Sequence, residues 1–274
     1  MNAHPNNFHS SLAFFARNPI FTHEEFLAAR APGERSKHTS NALLSWHLAK
    51  GRLSRVRRGL YASVPVSAPP KGWVPDPYLV TTKLRPDAVV AYHSALSFHG
   101  KAYSLWSRHQ YLTADRPRPF TFRGQEFVGV QVPLAIRHLS DFGGGVKVLP
   151  HAGGEVRVTT LERCMVDLLH APQHGGGWEE IWRSLEMVEF LDLDVVGEYA
   201  LLMGSALTAA RVGFFLEQHR AEWMVEEKHL DLLRRHAPKQ PQYLDARRAS
   251  GTLVSPWNLI VPADVLERRW EETP

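Results

Sequence analysis

The chain has 274 residues, of which 44% are hydrophobic and 22% charged, enough for the core of one large or two ordinary domains. It contains no run of about 18 apolar residues, and its N-terminus lacks the charged start and long apolar centre of a signal peptide, so we expect no membrane span and a cytoplasmic location. The single cysteine, Cys164, excludes an intrachain disulfide and a cysteine-clustered zinc site.

The formal net charge of +4 is unevenly distributed along the chain. Residues 1–62 contain nine Lys and Arg against three Asp and Glu, a balance of +6, so the remainder carries −2. An excess of positive charge in the first quarter indicates a surface for a polyanion on one domain. A solvated basic face without a ligand is the alternative, and the elements predicted around the charge favour the polyanion.

Three helices are predicted in the first fifty residues. The first begins at Ser10 or Ser11 and ends near Asn18, because a proline follows. A capping box at Thr22–Glu25 predicts the start of the second helix. The third is expected over about Thr39–Lys50 and ends at a glycine, a common C-terminal signal.

The third helix is predicted to have an apolar and a polar face. Leu44 and Leu48, four residues apart, should face the core, which places Asn41 and Ser45 on the other side. Trp46 has two interpretations, a core residue or a ring that stacks on a sugar or base, and the core is favoured because the domain is small.

A basic hairpin follows the third helix. Two strands are predicted at Leu53–Arg57 and Leu60–Ser63, with the turn at Arg58 and Gly59. Four arginines lie within seven residues here. A short helix followed by a basic hairpin is typical of a winged helix-turn-helix domain, which gives nucleic acid as the expected partner.

Helix-turn-helix proteins insert the start of their second motif helix into the major groove, where short polar side chains reach base edges and Arg or Lys contact phosphates or guanine. The same polar residues also suit an ordinary helix N-terminus. If about four phosphates are neutralised, log K should fall with a slope of roughly −3.6 against log salt. The residues predicted to bind DNA are Lys37, His38, Thr39, Ser40, Asn41 and Ser45 of the helix, and Arg52, Arg55, Arg57 and Arg58 of the hairpin.

Five prolines between Val64 and Pro77 predict a linker at residues 65–77, because such a segment forms neither a helix nor a central strand. We therefore expect an α+β chain with a winged helix-turn-helix domain at residues 1–64 and a larger mixed α/β domain at residues 78–274. Asp76 is expected to cap a helix that starts at Pro77. Further elements are predicted in the larger domain: strands at Gln110–Thr113, Gln125–Val132, Glu155–Val158 and Leu259–Val261, and helices at His93–His99, Trp178–Val188, Asp194–Met203 and Leu207–His219.

Signatures of enzymes are absent from the sequence. It has no His-Glu-x-x-His, Gly-x-Ser-x-Gly, Walker or Gly-x-Gly-x-x-Gly pattern, so we predict no catalytic residues, metal or cofactor. The segment from Thr159 to Asp167 has a structural explanation: Thr159 and Glu162 fit a capping box, Arg163 and Asp167 an i, i+4 ion pair, and Cys164 a buried thiol.

Several short motifs occur in a defined order, and the hairpin segment is the first of them. They are Gly51–Ala62 itself, Asp76-Pro-Tyr78, Ala91-Tyr-His-Ser-Ala-Leu-Ser-Phe-His-Gly100, Val158-Thr-Thr-Leu-Glu-Arg163, Val166-Asp-Leu-Leu169 and Gly176-Gly-Trp-Glu-Glu180. In this order and spacing, from about Phe14 to Trp270, the chain resembles the AbiEi family, the antitoxins of bacterial abortive-infection (type IV) toxin–antitoxin systems.

The resemblance implies a two-domain protein whose winged domain binds inverted repeats in its own promoter and represses the operon. The second domain would counteract a nucleotidyltransferase toxin in phage defence, without a tight complex between the two. We expect a monomer in solution or weak self-association on DNA. The alternatives are a one-component winged-helix regulator with a ligand-sensing second domain, and a nucleic-acid enzyme targeted by its winged domain.

Overall fold

The computed structural model describes residues 5–30, 36–69 and 72–271, with side chains between residues 11 and 270 of those ranges. Within them the chain adopts a mixed α+β fold with three separate sheets. The helices are α1 Pro5–Arg17, α2 His23–Ala28, α3 Lys37–Ala49, α4 Pro77–Thr82, α5 His93–Phe98, α6 Leu161–His170, α7 Trp178–Glu186, α8 Leu193–Leu202, α9 Ala206–Gln218, α10 Glu227–Arg234 and α11 Ala263–Leu266.

The strands form one sheet at the N-terminus and two in the rest of the chain. They are β1 Ile20–Thr22, β2 Leu53–Arg57, β3 Leu60–Ser63, β4 Val89–Val90, β5 Arg108–Thr113, β6 Phe120–Phe122, β7 Gln125–Gln131, β8 Val146–His151, β9 Gly154–Thr159, β10 Gln242–Tyr243, β11 Thr252–Val254 and β12 Leu259–Val261.

Residues 5–64, the N-terminal unit, combine three helices with an antiparallel sheet in the order β1-β3-β2. The sheet packs against the helices through aromatic rings, with Phe21 stacked on Phe15 at 5.5 Å and on Tyr61 at 5.7 Å between ring centroids. Phe26 and Leu44 complete this buried cluster. The unit therefore has its own apolar core.

The small sheet has two buried faces because alternate residues of a strand point to opposite sides. On β1 and β3, Phe21 and Tyr61 face the helices of the N-terminal unit. Four other residues of the sheet face residues 77–271, the second unit. They are Ile20, Leu60, Ala62 and, from β2, Val56, and they join the apolar cluster that contains Leu79 and Val80 of α4. The sheet is thus a middle layer between the helices and the second unit.

The second unit is built on a six-stranded sheet in the order β6-β7-β5-β4-β9-β8. The pairs β5–β7 and β4–β9 are parallel, and the other neighbours are antiparallel. Helix α4 packs on β4, β5 and β9, and α6 packs on α5, α8 and α9. The predicted apolar stripe of α7 is buried as expected, with Trp182 against Phe215 at 4.5 Å between ring centroids.

Several predicted elements need correction. Helix α1 starts at Pro5 rather than at Ser10 or Ser11. The cap of α6 is Thr160, whose side chain accepts from the Arg163 amide, and not Thr159, which ends β9. Some short elements were not anticipated, namely β1, β6, β8, β10, β11 and helix α10.

Among the described residues of the predicted linker, 65–69 and 72–77, only Pro77 belongs to a helix or strand. Asp76 caps α4 by accepting from the Leu79 amide at 2.9 Å, and Pro77 is the first helical residue, as expected. Because the units on either side share one apolar cluster, the segment connects two packed units. None of the helices in the described ranges is long and apolar enough to cross a membrane.

Candidate nucleic-acid interface

Most of the predicted polar residues of α3 lie on its exposed face. Lys37, His38, Thr39, Asn41 and Ser45 are all exposed to solvent. All five lie in the first nine residues of the helix. The start of α3 therefore presents several polar side chains to solvent.

Ser40 is the exception, and its prediction as a DNA contact is wrong. Its side chain is fully buried, as are those of Leu44 and His47. These three residues are separated by four and three positions, so they share the face of α3 that packs on the core. The same burial lowers the pKa of His47 to about 4, helped by the positive charge of Arg52, so this ring is neutral at physiological pH.

Two hydrogen bonds at His23 connect the start of α2 to α3 and to the hairpin turn. His23 Nε2 and Asn41 Oδ1 are 2.8 Å apart, and the His23 amide donates to the Gly59 carbonyl at 2.8 Å. Gly59 has a φ of +78°, which favours glycine at this turn. The exposed face of α3 and the hairpin turn are therefore held in a fixed relation. His23 was missed in the sequence because nothing in a capping box signals a contact with another helix.

Trp46 lies on the surface, contrary to its prediction as a core residue. Its side chain is 40% exposed. Two cations lie over its ring, with Lys50 Nζ at 6.0 Å and Arg52 Cζ at 5.0 Å from the centroid. Such cation–π contacts hold long side chains in place at the end of the helix. Lys50 was absent from the predicted site, although its position four residues after Trp46 places both on one face.

The hairpin arginines occupy three different environments. Arg55 and Arg58 are exposed, and Arg52 is half-buried beside Trp46. Arg55 and Arg58 are therefore accessible to a polyanion, and Arg52 adds a third positive charge beside Trp46. The Thr22–Glu25 capping box at the start of α2 forms as predicted, and Glu25 also receives a hydrogen bond from Lys83 of the second unit.

Arg57 is exposed like Arg55 and Arg58, but its guanidinium contacts the second unit, which argues against its prediction as a DNA contact. Its guanidinium donates to the Leu84 carbonyl and lies 5.8 Å above the Phe120 ring, both in the second unit. The β2–β3 register shifts between Arg55 and Arg57, as in a β-bulge. In a regular strand these two residues would share a face, so the bulge accounts for their separation.

The second unit contains a buried charged cluster centred on α6. Arg163 Nε donates to Asp167 Oδ2 at 3.2 Å, and Tyr199 Oη donates to Asp167 Oδ1 at 2.9 Å. Arg163 and Asp167 are each 1% exposed, so the predicted ion pair is present but buried. The guanidinium also donates to the carbonyls of Asp141 and Gly144. These contacts explain the cluster as part of the core.

Cys164 is buried next to this cluster, as predicted. Burial raises the pKa of its thiol to about 12, so the nucleophilic thiolate is suppressed. Among the described residues, no group of three or more His, Cys, Asp or Glu side chains is placed to hold a metal ion.

Comparisons with known proteins give a fold and no family. No family model matches the sequence, and no curated protein matches it either. A similar fold is found in the crystal structure of the RV2827C protein from Mycobacterium tuberculosis, with a TM-score of 0.64 and 15% sequence identity. The alignment covers 100% of this chain and 97% of that one. At this identity the likeness concerns the fold alone, a mixed α+β architecture over the whole length.

Proposed function

We propose that residues 5–64 form a winged helix-turn-helix domain that binds double-stranded DNA. The proposal depends on three features that occur together in this unit. Its elements follow the order helix–strand–helix–helix–strand–strand, α3 has exposed polar residues, and the hairpin has exposed arginines. Helix α3 would be the recognition helix, and β2–β3 the wing.

In this arrangement, the start of α3 enters the major groove. Thr39, Asn41 and Ser45 carry the short polar groups that reach base edges, and Lys37 and His38 lie at the helix N-terminus, near the phosphates. Four cations remain after Arg57 is removed from the predicted set, so a salt slope of roughly −3.6 is still expected. They are Lys37, Arg52, Arg55 and Arg58.

The biological role that we propose is that of a cytoplasmic transcriptional autorepressor and antitoxin of an abortive-infection operon. It is supported by the order of motifs that resembles the AbiEi family, from the basic hairpin to Gly176-Gly-Trp-Glu-Glu180. Inverted repeats in its own promoter would be the DNA target. The functional partner would be a nucleotidyltransferase toxin, and the second unit would counteract it.

A one-component regulator with a ligand-sensing second unit is the alternative. It shares the DNA-binding part and differs in what the second unit does. The feature that favours it is an open cleft of about 370 Å³ between the two units, because a ligand bound there would contact both.

The DNA-binding proposal is tested by fluorescence anisotropy with a duplex from the protein's own promoter and a scrambled duplex of equal length and composition. We expect tighter binding to the promoter by at least a hundredfold at physiological salt, with the steep salt dependence given above. Equal affinity for both duplexes would contradict a sequence-specific repressor, and no binding to either would contradict the domain assignment.

The antitoxin role is tested by growth. Co-expression with a nucleotidyltransferase encoded beside the gene should restore growth that the nucleotidyltransferase alone stops. A variant with Arg55→Ala and Arg58→Ala, expressed from an unrelated promoter, should rescue equally well, because its second unit is intact. Failure of both proteins to rescue, despite equal expression, would favour the regulator alternative.

A further inference from the structure

The open cleft between the two units is lined by three segments. These are the end of α1 with the start of β1, the segment from Leu79 to Lys83 in and just after α4, and the β8–β9 hairpin. Gly154 of this hairpin lies so close to α4 that a Cβ atom there would be 2.9 Å from Leu79 Cδ2. Leu79 and Ile20, both buried, form the apolar floor. Helix α4 and the hairpin are therefore packed against each other.

Positive charge dominates the lining of this cleft. Arg17, Lys83 and Arg157 contribute three cations, against the single carboxylate of Glu155. Arg157 Nη2 lies 2.9 Å from Asp141 Oδ1, and Lys83 is bonded to Glu25. Arg17 has no ion-pair partner among the described residues. Like charges that converge on a concave surface concentrate the field and attract small anions.

We propose that this cleft binds a small anion with two or more negative charges, carried by phosphate or carboxylate groups. Its volume of about 370 Å³ lies at the lower end of the range for small-molecule sites, which suits a small ligand. Arg17, Lys83 and Arg157 come from the three different segments that line the cleft and would contact the anion.

An anion in the cleft would also affect the proposed recognition helix through a chain of hydrogen bonds. This part of the inference rests on the proposed DNA-binding function. Lys83 bonds Glu25, whose other carboxylate oxygen accepts from the Thr22 amide at 2.8 Å in the capping box of α2. An anion that draws Lys83 towards the cleft weakens its bond with Glu25 at the start of the helix that precedes α3. An exposed ion pair contributes little, so the expected change in operator affinity is at most about fivefold.

The first experiment measures thermal unfolding of the full chain with inorganic pyrophosphate or citrate, against sodium chloride at equal ionic strength. At a hundredfold excess over Kd, binding to the folded state should raise Tm by about 5 °C. The two probes separate phosphate from carboxylate recognition. A variant with Arg17→Gln and Arg157→Gln should bind the anion at least tenfold more weakly in a calorimetric titration. The control is Lys147→Gln, which removes an exposed charge on β8 outside the cleft and should leave the anion affinity unchanged.

Three results would overturn the proposal: no Tm shift with either anion, the same shift in all variants, or a loss of operator affinity by the double variant when no anion is present. The last would mean that these arginines contact the duplex. If the protein binds no DNA at all, the proposed function fails, and the Tm and calorimetric measurements still decide whether the cleft binds anions.

Discussion

The arginines of the basic hairpin and those buried in the second unit occupy opposite environments. Arg55 and Arg58 extend into solvent from β2 and its turn. Arg163 is 1% exposed and donates to a carboxylate and two carbonyls. Arg211 donates to the carbonyls of Leu244, Leu169 and His170. An arginine surrounded by acceptors of its own chain stabilises the fold, and one without them is available to a ligand. This distinction is not visible in the sequence.

The largest expected effect is on the buried side of this comparison. Asp167→Ala leaves the guanidinium of Arg163 buried without its carboxylate, and should cost about 3–5 kcal/mol of unfolding free energy. A matched control is a second i, i+4 pair of the second unit, Arg183 with Glu179 at 3.0 Å, which is partly exposed. Glu179→Ala should cost no more than about 0.5 kcal/mol. Urea denaturation measures both, and equal losses would refute the distinction.

A smaller effect compares a buried and an exposed histidine of α3. His47 has a folded pKa of about 4, below its usual value near 6.5, so the unfolded state binds a proton first as the pH falls. Stability is therefore complete above pH 6.5 and decreases between pH 6.5 and 4, by about 2–3 kcal/mol at pH 4.5 for this group.

Denaturation at pH 7, 5.5 and 4.5 measures that loss. Other buried histidines, including His93 and His109, have lowered pKa values through burial and add a loss of the same sign. The contribution of His47 is the difference between wild type and His47→Gln. His38→Gln, an exposed substitution on the same helix, is the matched control, and an equal change in both variants would contradict the burial of His47.

The third prediction separates the hairpin arginines from one another. Arg55→Ala combined with Arg58→Ala should weaken operator binding at least tenfold and reduce the salt slope by about 2, with little change in stability. Arg57→Ala should cost about 1 kcal/mol of stability, because it removes a bond to the Leu84 carbonyl, and should leave the salt slope unchanged. A reduced slope for Arg57→Ala would show that this arginine meets phosphate after all.

The smallest expected effect compares adjacent residues of α3. Asn41→Ala removes an exposed amide from the proposed reading face, together with its bond to His23, and should weaken promoter binding about threefold to tenfold, more than it weakens binding to scrambled DNA. Ser40→Ala changes a buried side chain and should leave both affinities unchanged. Anisotropy titrations of both variants measure this, and the reverse order would mean that the faces of α3 are assigned wrongly.

Local signals in the sequence were sufficient for much of the N-terminal unit. Both hairpin strands have their predicted bounds, and the capping box at Thr22 forms with Glu25 as expected. These features depend on turn and cap chemistry within a few residues. Leu44 was assigned to the core for a similar reason, since it lies at helical spacing within the apolar stripe.

The errors concern features that depend on distant residues. Ser40 is buried because the helices of the N-terminal unit pack there, and a polar residue gives no sign of this in the sequence. Arg57 turns to the second unit through a register shift that only the pairing with β3 reveals. Trp46 is exposed although large aromatic residues are usually buried. Lys50 and Arg52 lie over its ring, but basic residues near a tryptophan in the sequence are too common to predict this contact.

The double-faced sheet of the N-terminal unit limits how the chain can be divided or recombined. Cut off from the second unit, residues 5–64 would expose the side of the sheet that carries Ile20, Val56, Leu60 and Ala62 to water. An apolar face of this kind favours aggregation, so this segment is unsuited to being grafted onto another protein as a portable DNA-reading module. The two units are thus expected to have been inherited together, and changes on one side of the sheet should be matched by changes on the other.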